Sequence, residues 1–191
     1  MKKYFLIAVM AIACVAFVNA QPRAIGLRLG GFNGVSYQHS LGESNMLEVE
    51  AGFSMLGRSD FWVNGAHDNL WGHSVQAAVT YDWIDPFGAT FPTMPKGEWH
   101  WYMGVGGAGG YGWSAWVWAQ GWGSASGNIN WGFAAAAGRV GVEYDFWFPL
   151  QLSVDWRPTL GAGLFENGNG GVQAGLYWEV ASISLSARYK F

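Results

Sequence analysis

Hydrophobic residues occupy every second position over long parts of the chain. Between Leu152 and Leu164 each even-numbered position is apolar, whereas the odd-numbered positions carry Ser, Asp, Arg, Thr and Gly. Between Ala181 and Phe191 each odd-numbered position is apolar, and Ser, Arg or Lys fills the places between them. Successive side chains of a β-strand point to opposite faces, so a period of two predicts strands with one apolar face and one small or polar face.

The same alternation recurs along the chain and predicts an all-β fold of eight strands. They lie at about residues 24–32, 34–41, 46–56, 73–84, 99–111, 132–146, 150–164 and 177–191. Most of them have the 9–11 residues that a tilted strand needs to cross a bilayer.

A membrane helix is the alternative for the stretch between Trp101 and Gly138, which has no charged residue. Six glycines lie between residues 101 and 119. They argue against the helix, because each glycine costs about 1 kcal/mol relative to Ala in an ordinary helix interior. A single helix would also leave the alternation elsewhere in the chain unexplained.

The smaller face of the strands decides between a soluble sandwich and a membrane barrel. In a soluble fold this face would meet water and carry many Lys and Glu residues, but here it is mostly Ser and Gly. A narrow barrel needs small residues and compensated charges inside, and bulky apolar residues towards lipid. Closure also leaves no strand edge exposed to lipid. The pattern therefore predicts a closed antiparallel eight-stranded up-and-down transmembrane β-barrel.

The first twenty residues have the features of a secretory signal peptide. Two lysines precede an uncharged apolar run, and Ala20 offers a small residue for cleavage. We therefore predict a cleaved signal peptide at 1–20 and an outer-membrane β-barrel domain at 21–191. The alternatives are a membrane anchor, for which the apolar run is short, and a lipoprotein modified at Cys14.

Composition and charge exclude several classes of partner. Hydrophobic residues make up 51% of the chain, aromatic residues 17% and charged residues only 12%, which excludes a disordered chain. The formal net charge is −3 and no basic run is present, so we expect no nucleic acid partner. The chain has one Cys and no Cys/His cluster with metal-ligand spacing, so we expect no internal disulfide, no metal and no cofactor.

Charged residues of the predicted strands fall mostly on the small face, which would line the barrel interior. Acids and bases are nearly balanced there, and buried charges must be paired. We therefore predict a structural network that plugs the lumen, because about eight strands leave just enough room for side chains. A selectivity ring in a small-solute, porin-like pore is the alternative. The predicted network contains Arg28, Glu48, Glu50, Asp82, Arg139, Glu143, Asp145, Asp155, Arg157, Arg188 and Lys190.

Long connections at one end of the predicted barrel form a candidate ligand-binding surface. If the chain ends are periplasmic, the outer connections are a tight Asn-Gly turn at 32–34 and long loops at about 57–72, 112–131 and 165–176. The loop at 112–131 combines flat Trp rings, which could stack on sugars, with amides that could hydrogen-bond to them. Alternatively, these Trp extend a strand through the headgroup layer. The candidate residues are Trp113, Trp116, Trp118, Trp122 and Trp131.

The last strand resembles the assembly signal of outer-membrane barrels. A terminal aromatic residue, Phe191, follows apolar or aromatic residues at every second place, namely Leu185, Ala187 and Tyr189. With the signal peptide and the alternation, the whole chain resembles the small eight-stranded outer-membrane β-barrel families, of the OmpA transmembrane-domain and OmpX kinds. The segments GLRLGGFNGVSYQHSL and PLQLSVDWRP are also similar to a barrel group of Bacteroides-type outer membranes.

The resemblance implies a Gram-negative outer membrane as the location, with the loops facing outside. It also implies outer-membrane lipid as the surroundings, and insertion by the outer-membrane assembly machinery with the help of periplasmic chaperones. We expect a monomer whose role is structural or is an interaction at the cell surface. The expected ligand of the loops is an extracellular glycan or protein.

A lipid-modifying activity is the remaining alternative. Some small barrels act on lipid A or phospholipids with Ser and His near the membrane boundary, as nucleophile and base. The candidates here are His39-Ser40 and His73-Ser74. Adjacent residues of a strand point to opposite faces, so neither pair is a ready dyad. We therefore expect no enzyme activity and assign no catalytic residues.

Overall fold

The fold consists of antiparallel β-strands joined into one sheet. The computed structural model describes residues 23–63, 66–86, 91–92, 94–119, 123–126, 129–166 and 171–191, and the predicted signal peptide lies outside them. No helix within these ranges is long and apolar enough to cross a membrane. The strands are β1 (Arg23–Gly30), β2 (Asn33–Ser40), β3 (Asn45–Val63), β4 (Ala66–Ile84), β5 (Gly97–Ala119), β6 (Gly123–Ser126), β7 (Trp131–Phe146), β8 (Leu150–Trp156), β9 (Thr159–Glu166), β10 (Val172–Glu179) and β11 (Ile183–Lys190).

The sheet closes on itself into a ring. Neighbouring strands follow the order β7, β8, β11, β1, β2, β3, β4 and β5, and β5 pairs with β7 again. Residues 24–30 of β1 pair with residues 184–190 of β11, so both ends of the described chain reach one rim of the ring, the near end. At the opposite rim, the far end, β10 pairs with β9 on one side and with β3 on the other.

The described residues form eleven strands, so the predicted count of eight is not confirmed. β8 and β9 are separated at Pro158, which has no N–H to donate to the strand ladder. β10 and β11 are separated by residues 180–182, where Val180 and Ala181 are both exposed. One strand there has an extra residue relative to its partner, which is the mark of a bulge. β6 pairs with the far part of β5.

Three predicted outer loops are largely strand, which corrects the prediction. β3 and β4 continue as a hairpin to Val63 and Ala66, β5 runs to Ala119, and β10 begins at Val172. The pairing register shifts between Ser54 and Gly57 in β3, and again in β4 between Trp71 and His73. The first shift adds a residue to β3, and the second adds one to β5 between Trp113 and Trp116, so the period of two is broken in these two strands. In β4 the faces alternate without a break from Leu70 to Ser74, and the sequence pattern ends there because Leu70 is apolar and buried inside.

The period of two itself is confirmed by the faces of the strands. In β11 Leu185 and Tyr189 are more than half exposed, whereas Ser186 and Arg188 are buried. Among the described residues, buried polar and charged side chains outnumber buried hydrophobic ones, the reverse of a soluble core. The outer face of the ring is therefore the apolar one, and it includes the four residues of the suggested assembly signal, Leu185, Ala187, Tyr189 and Phe191.

The β1–β2 hairpin is short and ends part of the way along the ring. Its turn lies at Gly31 and Phe32, one step before the predicted turn at 32–34, and β2 begins at Asn33. Gly30 has a φ of 134°, and a Cβ there would lie 2.3 Å from the carbonyl oxygen of Ile183. This turn directs Phe32 into the interior, where it is 1% exposed.

Candidate functional site

The structure places the predicted inward charges inside the ring. Asp145 and Lys190 are partly exposed near the rim, with their charged atoms 2.7 Å apart. The other nine are buried: Arg28, Glu48, Glu50, Asp82, Arg139, Glu143, Asp155, Arg157 and Arg188.

Arg139 of β7 is the centre of this network. Its guanidinium donates to the carboxylates of Glu48, Asp82 at 2.9 Å and Asp155 at 3.1 Å. It also donates to the hydroxyl of Tyr102 at 3.0 Å. β3, which carries Glu48, is three strands away from β7 by the shorter way round the ring. The pair of Arg139 and Glu48 therefore bridges the interior from wall to wall.

Three more arginines pair with the same group of carboxylates. Arg28 binds Asp155 through two hydrogen bonds of 2.7 and 2.9 Å, and it also lies 2.7 Å from Glu50. Four arginines thus face four of the five buried carboxylates of the network, and the formal charges of these eight groups cancel, as buried charges require. The remaining pairs are Arg157 with Glu50, and Arg188 with Glu48 at 2.6 Å.

Tyr102 is a member of the network that sequence reasoning missed. It is fully buried, and its hydroxyl lies 3.4 Å from Asp155, to which it donates. Gly141 is its partner on the neighbouring strand, and a Cβ at Gly141 would lie 2.5 Å from the tyrosine ring. An inward glycine opposite an aromatic residue is the sequence signal that would have found it.

A layer of apolar side chains fills the interior towards the far end. Phe133 stacks on Tyr177 with ring centroids 4.0 Å apart, and Phe61 lies 5.4 Å from Phe165. Alternation assigned bulky residues to lipid, so this inner layer was not predicted. Inward glycines make room for it, because a Cβ at Gly110, Gly112 or Gly163 would lie within 2.6 Å of an inner ring. The layer consists of Phe61, Val63, Leu70, Ile129, Trp131, Phe133, Phe165 and Tyr177.

Phe32 lies against the arginines of the charged network. The guanidinium carbon of Arg157 is 4.7 Å from the centre of its ring, and that of Arg28 is 5.7 Å away. Such contacts are cation–π interactions. The hairpin turn thus contributes one aromatic ring to the interior.

The Trp residues predicted to bind a ligand do not form one surface. Trp131 is 2% exposed, and its Nε1 donates to Ser59 at 3.2 Å, so it belongs to the inner apolar layer. Trp113 lies on the outer face, 37% exposed, with Tyr111 and His73 beside its ring. Trp116 and Trp118 lie in β5 with side chains that the structure does not describe, and Trp122 lies outside the described residues.

A polar chamber of about 440 Å³ opens at the near end. Gln38 and Gln151 line it and also bond to Glu48 and Arg188, so the charged network forms its roof. Glu143 lines it too, 4% exposed, with an Oε2 atom that has no hydrogen-bond partner among the described residues.

The Ser and His residues considered for catalysis do not assemble into a dyad in the described part of the chain. Ser74 is 1% exposed inside the ring, whereas His73 packs against Trp113 on the outer face. His39 lies beside the ring of Tyr37 at 6.4 Å. In the same described ranges, no group of three or more His, Cys, Asp and Glu residues could hold a metal ion.

No family model and no curated protein matches the chain. Among solved structures, the chain is similar to a major outer membrane protein from Thermus thermophilus. The two are 12% identical over 91% of this chain and 100% of that chain, with a TM-score of 0.47. At this level the likeness assigns neither function nor location, and the resemblance to the OmpA and OmpX kinds stays a prediction.

Proposed function

We propose that the protein is an integral outer-membrane β-barrel with a closed interior and a structural or surface-interaction role. The observation that carries the proposal is the filling of the ring. Four arginines and four carboxylates join its walls, and an apolar layer lies between them and the far end. A polar solute moving along the ring axis would have to displace both layers.

In this proposal the chain crosses the membrane eight times. Outward and inward positions continue without a break from Trp156 through Arg157 to Thr159, so β8 and β9 act as one crossing. The bulge between β10 and β11 adds a residue without reversing the chain direction, so these two strands act as one crossing as well. β6 pairs with residues 116–119 of β5 at the far end, so it adds no crossing. The eleven strands then form eight crossings, an even number that suits a closed barrel.

The outer surface supports a membrane location. Exposed apolar side chains such as Leu27, Val105 and Leu185 cover the middle of the ring, where a soluble protein would place charges. Aromatic side chains are exposed towards both rims, as in the two aromatic girdles of membrane barrels. They include Trp83, Trp99, Trp147 and Tyr189 towards the near end, and Trp62, Trp71 and Trp113 towards the far end.

Orientation and partners are part of the same proposal. The short connections at the near end, such as residues 41–44 and 147–149, suit the periplasmic side. The far hairpins then face outside, where a glycan or a protein is the proposed partner. The assembly machinery would recognise the outward row of β11 after periplasmic chaperones deliver the chain. The proposed barrel is a monomer without a catalytic role.

Conductance of the refolded protein in planar lipid bilayers tests the closed interior. We expect no steady single-channel current, because both layers obstruct the ring. The positive control opens both layers: Glu50→Ser with Arg157→Ser removes one acid and one base from the charged layer and keeps the charge balance, and Phe61→Ala with Phe133→Ala truncates two rings of the apolar layer. We expect this combined variant to conduct. Steady large currents from the unchanged protein would reject the closed barrel and favour the pore.

A further inference from the structure

A groove of about 640 Å³ lies on the outer face of the ring, in its far half. Its lining is almost entirely apolar. Leu160, Leu176 and Trp62 are each about half exposed around it, so the groove is open to the surroundings of the ring. Its main residues are Trp62, Gly138, Pro158, Leu160, Leu176 and Trp178.

Gly138 forms part of the groove floor, and the packing around it does not require a glycine. A Cβ at Gly138 would have its nearest neighbour, Cγ of Pro158, at 3.6 Å, an ordinary van der Waals distance. By contrast, a Cβ at the inward Gly163 would lie 2.2 Å from the ring of Phe61. A Cβ therefore fits at Gly138, and the atoms of a longer side chain would extend from it into the groove.

A polar pair lies beside the two tryptophans of the groove. Nε2 of His67 is 3.2 Å from Oδ1 of Asp60. The His67 ring lies 6.5 Å from the ring of Trp62 and 5.5 Å from that of Trp178. Asp60 pairs with Trp178 in the β3–β10 ladder and is 8% exposed. Because Phe61 points into the ring, its neighbours Asp60 and Trp62 point outward.

The pair and its aromatic neighbours are complementary to an ammonium group. A carboxylate only accepts hydrogen bonds, so Nε2 of His67 carries the proton that it donates to Asp60. In the singly protonated ring the other nitrogen, Nδ1, is then an acceptor. The faces of Trp62 and Trp178 attract cations through their π-systems, and Asp60 supplies a negative charge.

We infer that the groove and the Asp60–His67 pair bind one membrane lipid whose polar head carries an ammonium group. An alkyl chain of the lipid lies over Gly138 between Leu160 and the tryptophans, and the ammonium group lies at the polar pair. The groove is continuous with the apolar outer surface, so a lipid reaches it without leaving the bilayer. This inference rests on the proposed membrane location.

Native mass spectrometry of the full chain, purified in detergent, tests the site with two lipids of identical chains. We expect one phosphatidylethanolamine to be retained, and roughly tenfold less phosphatidylglycerol, which has no ammonium group. Gly138→Leu fills the floor and should lower the retention of phosphatidylethanolamine by roughly tenfold. Asp60→Asn should remove the preference between the two lipids. The Asp60→Asn substitution changes no residue that lines the groove.

Gly132→Leu is the matched control. Gly132 is on the same strand, its Cβ would also have room, with the nearest atom at 3.5 Å, and it does not line the groove. Equal retention in Gly138→Leu and the unchanged protein would overturn the site, as would occupation by a second copy of the chain. Equal retention of both lipids by the unchanged protein would overturn the headgroup assignment. If the unchanged protein inserts into vesicles but retains no lipid, the lipid site is wrong and the proposed membrane location stands. If the protein does not insert, the proposed location is wrong.

Discussion

Single residues inside the ring are constrained by what they meet across the interior. Arg139 is buried and contacts carboxylates from three different strands. Two of these carboxylates, Glu48 and Asp155, have a second arginine, whereas Arg139 is the one arginine that pairs with Asp82 within the described network. Removing Arg139 therefore leaves Asp82 as a buried carboxylate without compensation, which is the costly way to change a buried ion pair.

Arg139→Leu should lower the free energy of unfolding by about 3–5 kcal/mol, because it leaves a buried charge unpaired. Urea unfolding of the refolded protein in detergent micelles, followed by Trp fluorescence, measures the change. Lys96→Leu removes an exposed cation near the rim and should change stability by less than about 0.5 kcal/mol. A similar unfolding midpoint for both variants would contradict the network.

Strand elements depend on the register of their faces. In β11 every inward position is Ser, Arg or Lys up to the last strand residue. A shift by one residue would move this whole set to the apolar outer face. The bulge at Val180 and Ala181 adds one outward residue. Removing one residue here shortens the β10–β11 crossing, and the inward residues of β11 still point inward.

Deletion of Ala187 should prevent folding, because Arg188 and Lys190 would then turn outward. Near a rim an outward charge costs only about 0–1 kcal/mol, so the main cost is at Arg188, which would lose its buried partner Glu48 and leave one acid of the network with one arginine fewer. Deletion of Ala181 removes the extra residue of the bulge and keeps the alternation, so this variant should fold. The folded fraction is measured as the part of the unheated sample that migrates differently from the heated sample in an SDS gel. Equal folded fractions for the two deletions would show that register does not limit folding.

The whole molecule depends on the meeting of its first and last described strands. β1 and β11 are far apart in sequence, yet they share a continuous ladder over residues 24–30 and 184–190. Without this ladder both strands would present unpaired backbone groups to lipid, which is unfavourable. Closure is therefore a cooperative property of the ring and not of any one hairpin.

Hydrogen exchange in detergent micelles tests closure directly. Amides of residues 24–28 and 184–189 should exchange as slowly as those of β4 within the ring, because all of these residues have pairing strands on both sides. Amides of β6 should exchange faster, since β6 pairs with the far part of β5 alone among the described strands. Fast exchange of β1 and β11 together with slow exchange of β4 would indicate an open sheet.

The sequence predicted the faces of the strands well and their lengths less well. Alternation is a local property of the backbone, so it correctly separated Leu185 and Tyr189 from Ser186 and Arg188. It also placed charged residues such as Arg28 and Glu48 on the inward face, whereas it missed Tyr102. It ended too early in β3, because the extra residue between Ser54 and Gly57 breaks the period, and in β4, because the inward Leu70 is apolar. It also counted β8 with β9 as one strand across Pro158.

By itself, then, the sequence determined that the chain forms strands, which side of each strand is apolar, and which charges turn inward. The tertiary structure alone decided which charges meet, because Glu48 reaches Arg139 and Arg188 across 91 and 140 residues of sequence. It alone placed Trp131 and Phe133 in an inner layer and left a groove over Gly138. Face alternation is set within each strand by the backbone, whereas contacts across a closed ring depend on pairing order and register, which the sequence states only indirectly.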